Sequence, residues 1–301
     1  MDLAIETKAL TKRFGKATAV DGIDLKIPRG AIYGFLGSNG AGKSTAIRII
    51  LGLRSATSGT VELFGEKLDH RHRPLIGAMA DSPGGAFYEH LSARDNLRVV
   101  AQSLGIEIEP DALLDRVGLD HARTKKVKAF STGMRQRLGI ARALIGDPAL
   151  VIFDEPLNGL DPEGIREMRT LMRDIAKNRT LIICSHLLDE IEKVASHVGL
   201  LSKGRLIHQG PLDDIAIDTD IIELGASGAV MEALSPLAMQ VNSIGADRWH
   251  VTPKEGLSAS DINRELVGKG IAVDHLAQRR FSLEEFYHER ISASHAGADH
   301  A

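Results

Sequence analysis

The chain has 301 residues and a single cysteine, Cys184, so an intrachain disulfide is excluded and a cysteine-based zinc site is disfavoured. Aromatic residues are scarce at 4%, with one tryptophan, Trp249. No uncharged apolar run approaches the ~18 residues that cross a bilayer as a helix. Met1–Leu10 lacks the basic-then-apolar order of a signal peptide. Charge of either sign is not in excess: 37 basic residues stand against 40 acidic ones, a net of −3. That leaves neither a polybasic footprint for nucleic acid nor a strongly acidic tail. These absences lead us to expect a reduced, soluble, cytosolic chain with no nucleic-acid partner and no means of crossing a membrane by itself.

What is present is an ordinary globular mix of 43% apolar and 26% charged residues, in a length that suggests about two domains. Residues 3–27 read as short alternating strands with turns at Phe14-Gly15 and Asp21-Gly22. Ala31–Leu36 is a compact apolar strand, followed by a glycine-rich segment and an apolar helix over Ala46–Leu53. Residues 57–79 read as strand and loop. Helical spacing recurs in Ala93–Leu104, Asp111–Val117, Arg135–Ile145 and Pro162–Lys177. Residues 149–153 and 180–184 are continuous apolar runs, as buried parallel strands are. Strand and helix alternation predicts an α/β core with helices on both faces.

A boundary is expected near Pro211–Ala216. The 86 residues from Ala216 onward hold seven basic and thirteen acidic residues, net −6, which leaves +3 on the first 215. This tail reads as a small α+β appendage, with strands at Ile221–Leu224 and Arg248–Thr252 and helices at Val230–Ala238, Ser260–Gly268 and Ser282–Ser292. Trp249 is expected in its core, and Ser292–Ala301, with His295 and His300, as a frayed end. Elsewhere, His70-Arg71-His72-Arg73 reads as an exposed loop, and Cys184 as inert packing.

The motif Gly37-x4-Gly42-Lys43-Ser44 fits the phosphate-binding loop in full. The loop Gly37, Ser38, Asn39, Gly40, Ala41, Gly42 would point successive N–H groups at phosphate oxygens. Lys43 supplies a point charge, Ser44 a hydroxyl for Mg2+, and the helix that begins near Thr45 its positive end. A second motif, Leu150–Glu155, is an apolar strand ending in two carboxylates at the edge where α/β sheets bind ligands. Asp154 suits the Mg2+ shell, and Glu155 the polarisation of an attacking water.

These motifs resemble the nucleotide-binding subunit of an ATP-binding cassette (ABC) transporter over residues 3–215. Phe130-Ser131-Thr132-Gly133-Met134-Arg135-Gln136-Arg137 resembles the family signature, although Thr132 and Met134 depart from its glycine and glutamine. The resemblance implies a P-loop NTPase cassette at 1–215. Its parts are an α/β core, an antiparallel β subdomain and a helical subdomain at about 84–146, followed by an accessory domain at 216–301.

It further implies that Ser131 and Gly133 contact the γ-phosphate of ATP held by an opposite subunit. Asp161 would lie in a loop crossing that interface, His186 would sense the γ-phosphate, and Phe14 would stack on adenine. Asp81 stands where the family usually has glutamine, a position that orients water or reaches Mg2+. These departures resemble the branch of peptide-antibiotic exporters that includes bacitracin-resistance and lantibiotic-immunity ATPases.

The implied partners are a second cassette, an identical chain being favoured, and a separate membrane permease. The permease is expected to dock around Pro83–Leu97, where Phe87, Tyr88 and Leu91 offer an apolar patch. The competing reading is a cassette ATPase outside transport, in a regulatory or nucleic-acid-linked complex.

Overall fold

The computed structural model describes residues 2–79, 87–215, 218–280 and 282–296. Asp81, the start of the expected docking segment at residues 83–86, and His300 lie outside the described residues. The chain groups into two compact units, Met1–Leu212 together with Tyr287–Ala301, and Asp213–Phe286.

The first unit opens with β1 (Leu3–Phe14), β2 (Ala17–Ile23), β3 (Lys26–Pro28) and β4 (Ile32–Leu36), then α1 (Lys43–Ile50). After these come β5 (Ser58–Leu63), β6 (Glu66–Lys67) and β7 (Ile76–Met79). The helical segment is α2 (Ala93–Leu104), α3 (Pro110–Arg116) and α4 (Thr132–Ala143). The chain then returns through β8 (Leu150–Asp154), α5 (Pro162–Ala176), β9 (Thr180–Ser185), α6 (Leu188–Glu192), β10 (His197–Ser202) and β11 (Arg205–Pro211).

One sheet is antiparallel, in the order β2-β1-β5-β6 with β3 also paired to β1. The other runs β11-β10-β4-β9-β8-β7, parallel except for its edge strand β11. Burial on both faces explains why β8 and β9 are unbroken apolar runs. Ile47 and Ile50 of α1 pack into one core with Ile5, Leu10 and Leu63 of the antiparallel sheet and Phe35, Ile152 and Ile182 of the parallel one. Helix starts follow their caps: Ser92 accepts from the Asp95 amide ahead of α2, and Asp161 from the Gly164 amide ahead of α5, where Pro162 takes the first helical position.

Several local expectations change. α1 begins at Lys43, three residues before the apolar run at Ala46, because Gly42 itself turns the chain into the helix. β7 forms from a stretch read only as strand and loop, and pairs along β8. His70–Leu75 is a 3-10 turn rather than an exposed loop: Asp69 caps it, and His72 is buried with Nδ1 3.1 Å from the Asp69 carboxylate. The Asp69 carboxyl is lowered to about 2, chiefly by the Arg71 guanidinium. Phe87 is no free apolar patch, since it lies half-buried beneath the Arg142 guanidinium, 5.1 Å from the ring centre. Its neighbour Tyr88 is exposed.

The second unit has β12 (Asp218–Ala226), α7 (Val230–Leu234), β13 (Ala238–Gly245), β14 (Arg248–Pro253), α8 (Ala259–Gly268) and β15 (Val273–Arg280). The sheet order β13-β14-β12-β15, antiparallel throughout, on a βαββαβ chain is the split βαβ arrangement of ferredoxin-like domains. α7 stops at Leu234, short of the expected Ala238, because Pro236 cannot continue it, and Ala238 opens β13 instead. Ile222, Leu224, Val251, Ile262 and Leu266 form its core, with Trp249 packed at the margin and its Nε1 donating to the Ala226 carbonyl. A final helix, α9 (Leu283–Ala296), starts in this unit, and from Tyr287 its residues belong to the first.

β7 lies so close to α4 that a Cβ at Gly77 would collide with the Ala143 carbonyl oxygen. Gly77→Ala is therefore expected to push α4 away and lower the unfolding free energy by about 1–3 kcal/mol, read from urea unfolding.

Candidate active site

The site is built on the carboxyl ends of β4, β8 and β9. Beyond Leu36 the chain curls through Gly37 to Gly42, and Gly42 serves as N-cap of α1 with φ +107°. A side chain there would also collide with the Ala19 carbonyl. α1 has no side-chain cap, unlike α2, α4 and α5, and it has no acid in its first turn. Its first amides and positive dipole end therefore face the loop cavity, which is the arrangement that takes an anion. That cavity, about 380 Å3, is lined by Ser38 through Thr45 together with Ala19, Arg48, Asp154, Glu155 and Asn158.

Lys43 is almost fully buried. Its ammonium donates to the carbonyls of Gly37 at 2.6 Å and Ser38 at 3.3 Å, and lies 3.9 Å from Glu155 Oε1. β8 is in register with β9, so Asp154 sits opposite Cys184, and the Glu155 amide donates to the Cys184 carbonyl at 2.9 Å. Glu155 then adopts φ +52°, a conformation that costs a non-glycine residue free energy and that clusters at functional sites. Its Oε2 is 3.0 Å from His186 Nδ1 and 3.5 Å from Ser185 Oγ, so the carboxylate is aimed by two groups at the end of β9.

Burial pushes the Asp154 carboxyl up, the Ser44 hydroxyl bonded to it pulls it down, and the Glu155 charge raises it again. Asp154 Oδ1 is buried without a hydrogen-bond partner among the described residues. A serine hydroxyl beside an unpartnered carboxylate oxygen is an all-oxygen donor set, the chemistry Mg2+ takes. Cys184 beneath them is buried and its thiol is pushed well up by burial, in keeping with inert packing.

Ser131, Gly133 and Asp161 are not in this cavity. They line a second concavity of about 430 Å3 with Gly159 and Leu160. Ser131 caps α4 by accepting from the Met134 amide at 3.3 Å, and Asp161 caps α5 by accepting from Gly164 at 2.9 Å. Phe14 lines neither cavity. It is exposed, with the Arg54 guanidinium 4.9 Å and the Lys12 ammonium 5.5 Å from its ring centre.

Sequence reasoning passed over Ala19, Arg48 and Gln136, and did not place Asn158 at the phosphate loop. Ala19 and Asn158 line the phosphate-loop cavity, and buried Gln136 donates to the Asn158 carbonyl at 3.5 Å, tying α4 to the loop after β8. Asn158 was legible only as the first residue of the Asn158–Asp161 loop. Nothing local marks Ala19.

A phosphate loop on a parallel sheet, with two carboxylates at a nearby strand end, defines a nucleotide-hydrolysing protein of the phosphate-loop class. Residues 20–158 match the ABC transporter family. The bacitracin transport ATP-binding protein BcrA of Bacillus licheniformis is 47% identical over 222 residues, covering 71% of this chain and 72% of that protein. Its counterpart from Enterococcus faecalis is 33% identical over 97% of both chains. The lantibiotic transport ATP-binding protein SrtF of Streptococcus pyogenes is 41% identical over 69% of this chain and 91% of its own.

Among solved structures, cbiO1 from Clostridium perfringens, part of the ABC transporter complex cbiONQ, superposes with a TM-score of 0.64 at 26% identity. It covers 71% of this chain and 91% of that one. The chain belongs to the ATP-binding subunits of ABC transporters, the subunits that bind and hydrolyse ATP to drive transport through a membrane permease.

Because the backbone at Gly42 requires both a positive φ and the absence of Cβ, Gly42→Ala is expected to weaken ATP binding by roughly tenfold or more. Equilibrium titration with a fluorescent ATP analogue reads the effect.

Proposed function

We propose that this chain powers export of a peptide antibiotic, or of a drug or lipid-like cargo of similar character, working as a pair of identical cassettes beneath a membrane permease. The carrying observation is that the phosphate-loop cavity and the Ser131–Asp161 concavity are separate surfaces of one chain. Each is lined by part of what surrounds an ATP, so two chains docked head to tail would enclose two nucleotides. The cargo class rests on the printed roles of the relatives, bacitracin and lantibiotic transport. No helix among the described residues is long and apolar enough to cross a membrane, so the cargo path belongs to the permease. The working location is then the cytoplasmic face of the membrane, with the unit Asp213–Phe286 as an accessory domain.

In this reading the loop amides and the N-terminus of α1 bind the phosphates, and Lys43 swings from the Gly37 and Ser38 carbonyls onto the β- and γ-phosphate oxygens. Ser44 and Asp154 would hold Mg2+, which neutralises charge between those phosphates. Glu155 orients a water and accepts its proton as the water oxygen attacks the γ-phosphorus. The bond to the β-γ bridging oxygen breaks, leaving ADP and phosphate. His186 fixes Glu155 through Nδ1, and the family resemblance gives it the sensing of the γ-phosphate. Ser131 and Gly133 of the second chain close over the γ-phosphate, and Asp161 lies in the loop between the chains. Phe14 would offer a ring face for adenine, and Asp81 keeps the role that the family resemblance gives its position, orienting water or reaching Mg2+. Loss of the γ-phosphate removes the contacts that join the chains, and the pair reopens.

Glu155→Gln is expected to bind MgATP while hydrolysing it about 10²–10⁴-fold more slowly. It should also convert monomers to dimers when MgATP is added, seen by light scattering. An unchanged turnover refutes the role given to Glu155, and a variant that stays monomeric with bound MgATP refutes the paired site. Affinity purification from membranes is expected to bring down a protein with several apolar spans, and its absence argues for the reading outside transport.

A further inference from the structure

Tyr287, in α9, lies 249 residues from Ser38 in the sequence, yet its hydroxyl accepts a hydrogen bond from the Ser38 amide at 3.0 Å. The Tyr287 ring is buried, 5% exposed, and is not among the residues lining the phosphate-loop cavity. It therefore approaches the loop from outside the cavity rather than competing with nucleotide.

The Ser38 amide and the Gly37 carbonyl belong to one peptide unit, in which N–H and C=O point in opposite directions. The carbonyl end accepts the Lys43 ammonium at 2.6 Å, and the amide end is taken by Tyr287. A cation at the oxygen and a phenol oxygen at the hydrogen both favour the same orientation of that peptide dipole. The neighbouring Gly37 has no side chain to oppose a rotation of the plane. When Lys43 turns to the phosphates, the carbonyl end loses its partner and Tyr287 is left holding the amide end.

We propose that Tyr287 is a positioning residue for ATP, locking the Gly37–Ser38 peptide so that the phosphate loop and Lys43 are preorganised before nucleotide arrives. Preorganisation of this kind acts on binding, because the loop does not have to be ordered by the ligand. The last residue of the ferredoxin-like unit, Phe286, is the immediate chain neighbour of Tyr287.

The test is Tyr287→Phe in the full chain, which keeps the ring and removes the acceptor. The expected result is a rise of roughly fivefold in both the Kd for MgATP and the KM for ATP, the weight of one hydrogen bond, with kcat within about twofold of wild type. Hydrogen exchange at the Ser38 amide should quicken by a similar roughly fivefold factor while amides of β4 are unaffected. A packing role for the ring would leave all three at wild-type values. Wild-type or tighter ATP binding in Tyr287→Phe, or a fall in kcat with KM unchanged, overturns the proposal. If the variant does not fold, exchange in the wild-type chain decides: a Ser38 amide exchanging as fast as a free loop amide overturns it too.

Discussion

The site depends on one piece of sheet register. Cys184 of β9 lies opposite Phe35 of β4 on one side and Asp154 of β8 on the other. Three buried parallel strands are thereby cut off at one level, and the phosphate loop, the paired carboxylates and Ser185-His186 emerge side by side. Displacing any of these strands by a single residue would turn its inward side chains to the opposite face. The buried runs Leu150–Phe153 of β8 and Thr180–Ser185 of β9 make such a slip costly, because side chains on both faces would have to repack. The carbonyl of Cys184 also receives the Glu155 amide, so the ladder continues one residue past β8 and swings Glu155 into its left-handed turn.

The charges gathered at that edge are balanced by their neighbours. Lys43 is buried and neutralised in part by carbonyls of its own loop, with Glu155 just beyond direct contact. Glu155 in turn is held by His186. Among the described residues Asp154 keeps one buried oxygen without a hydrogen-bond partner, which is unfavourable unless something else completes its shell. The signature concavity stands apart, and its two polar side chains, Ser131 and Asp161, are engaged as helix caps. Their capping roles hold the starts of α4 and α5 in fixed directions, so the backbone amides there present a defined surface.

Much of this was legible in the sequence, for a physical reason. A phosphate loop is short and local, its glycines are demanded by backbone geometry, and fully buried strands cannot hide their apolar runs. Lys43, Asp154 and Glu155 could be placed together without coordinates. Less visible were elements whose stabilisation comes from afar. β13 and β15 carry many exposed polar residues and so lack a clean alternation, which is why the tail's split βαβ arrangement did not emerge from its pattern. His72 looked solvated because its neighbours are charged, whereas its partner Asp69 and a buried setting come from the turn geometry. Phe14 showed an aromatic at the expected place but not that cations flank it. The contact of Ser38 with Tyr287 joins opposite ends of the chain and has no local signal.

The uncapped start of α1 makes nucleotide a structural component as well as a fuel. α2, α4 and α5 start on the side-chain caps Ser92, Ser131 and Asp161, whereas the eight-residue α1 begins at Gly42 with none, and its first amides are open to phosphate oxygens. A ligand that binds only the folded state adds RT ln(1 + [L]/Kd) to stability, about 2.7 kcal/mol when it is present at a hundred times its Kd. The resistance of this chain to unfolding and proteolysis is thereby linked to the energy charge of its surroundings. A cell low in ATP would hold not only an idle pump but a softer one.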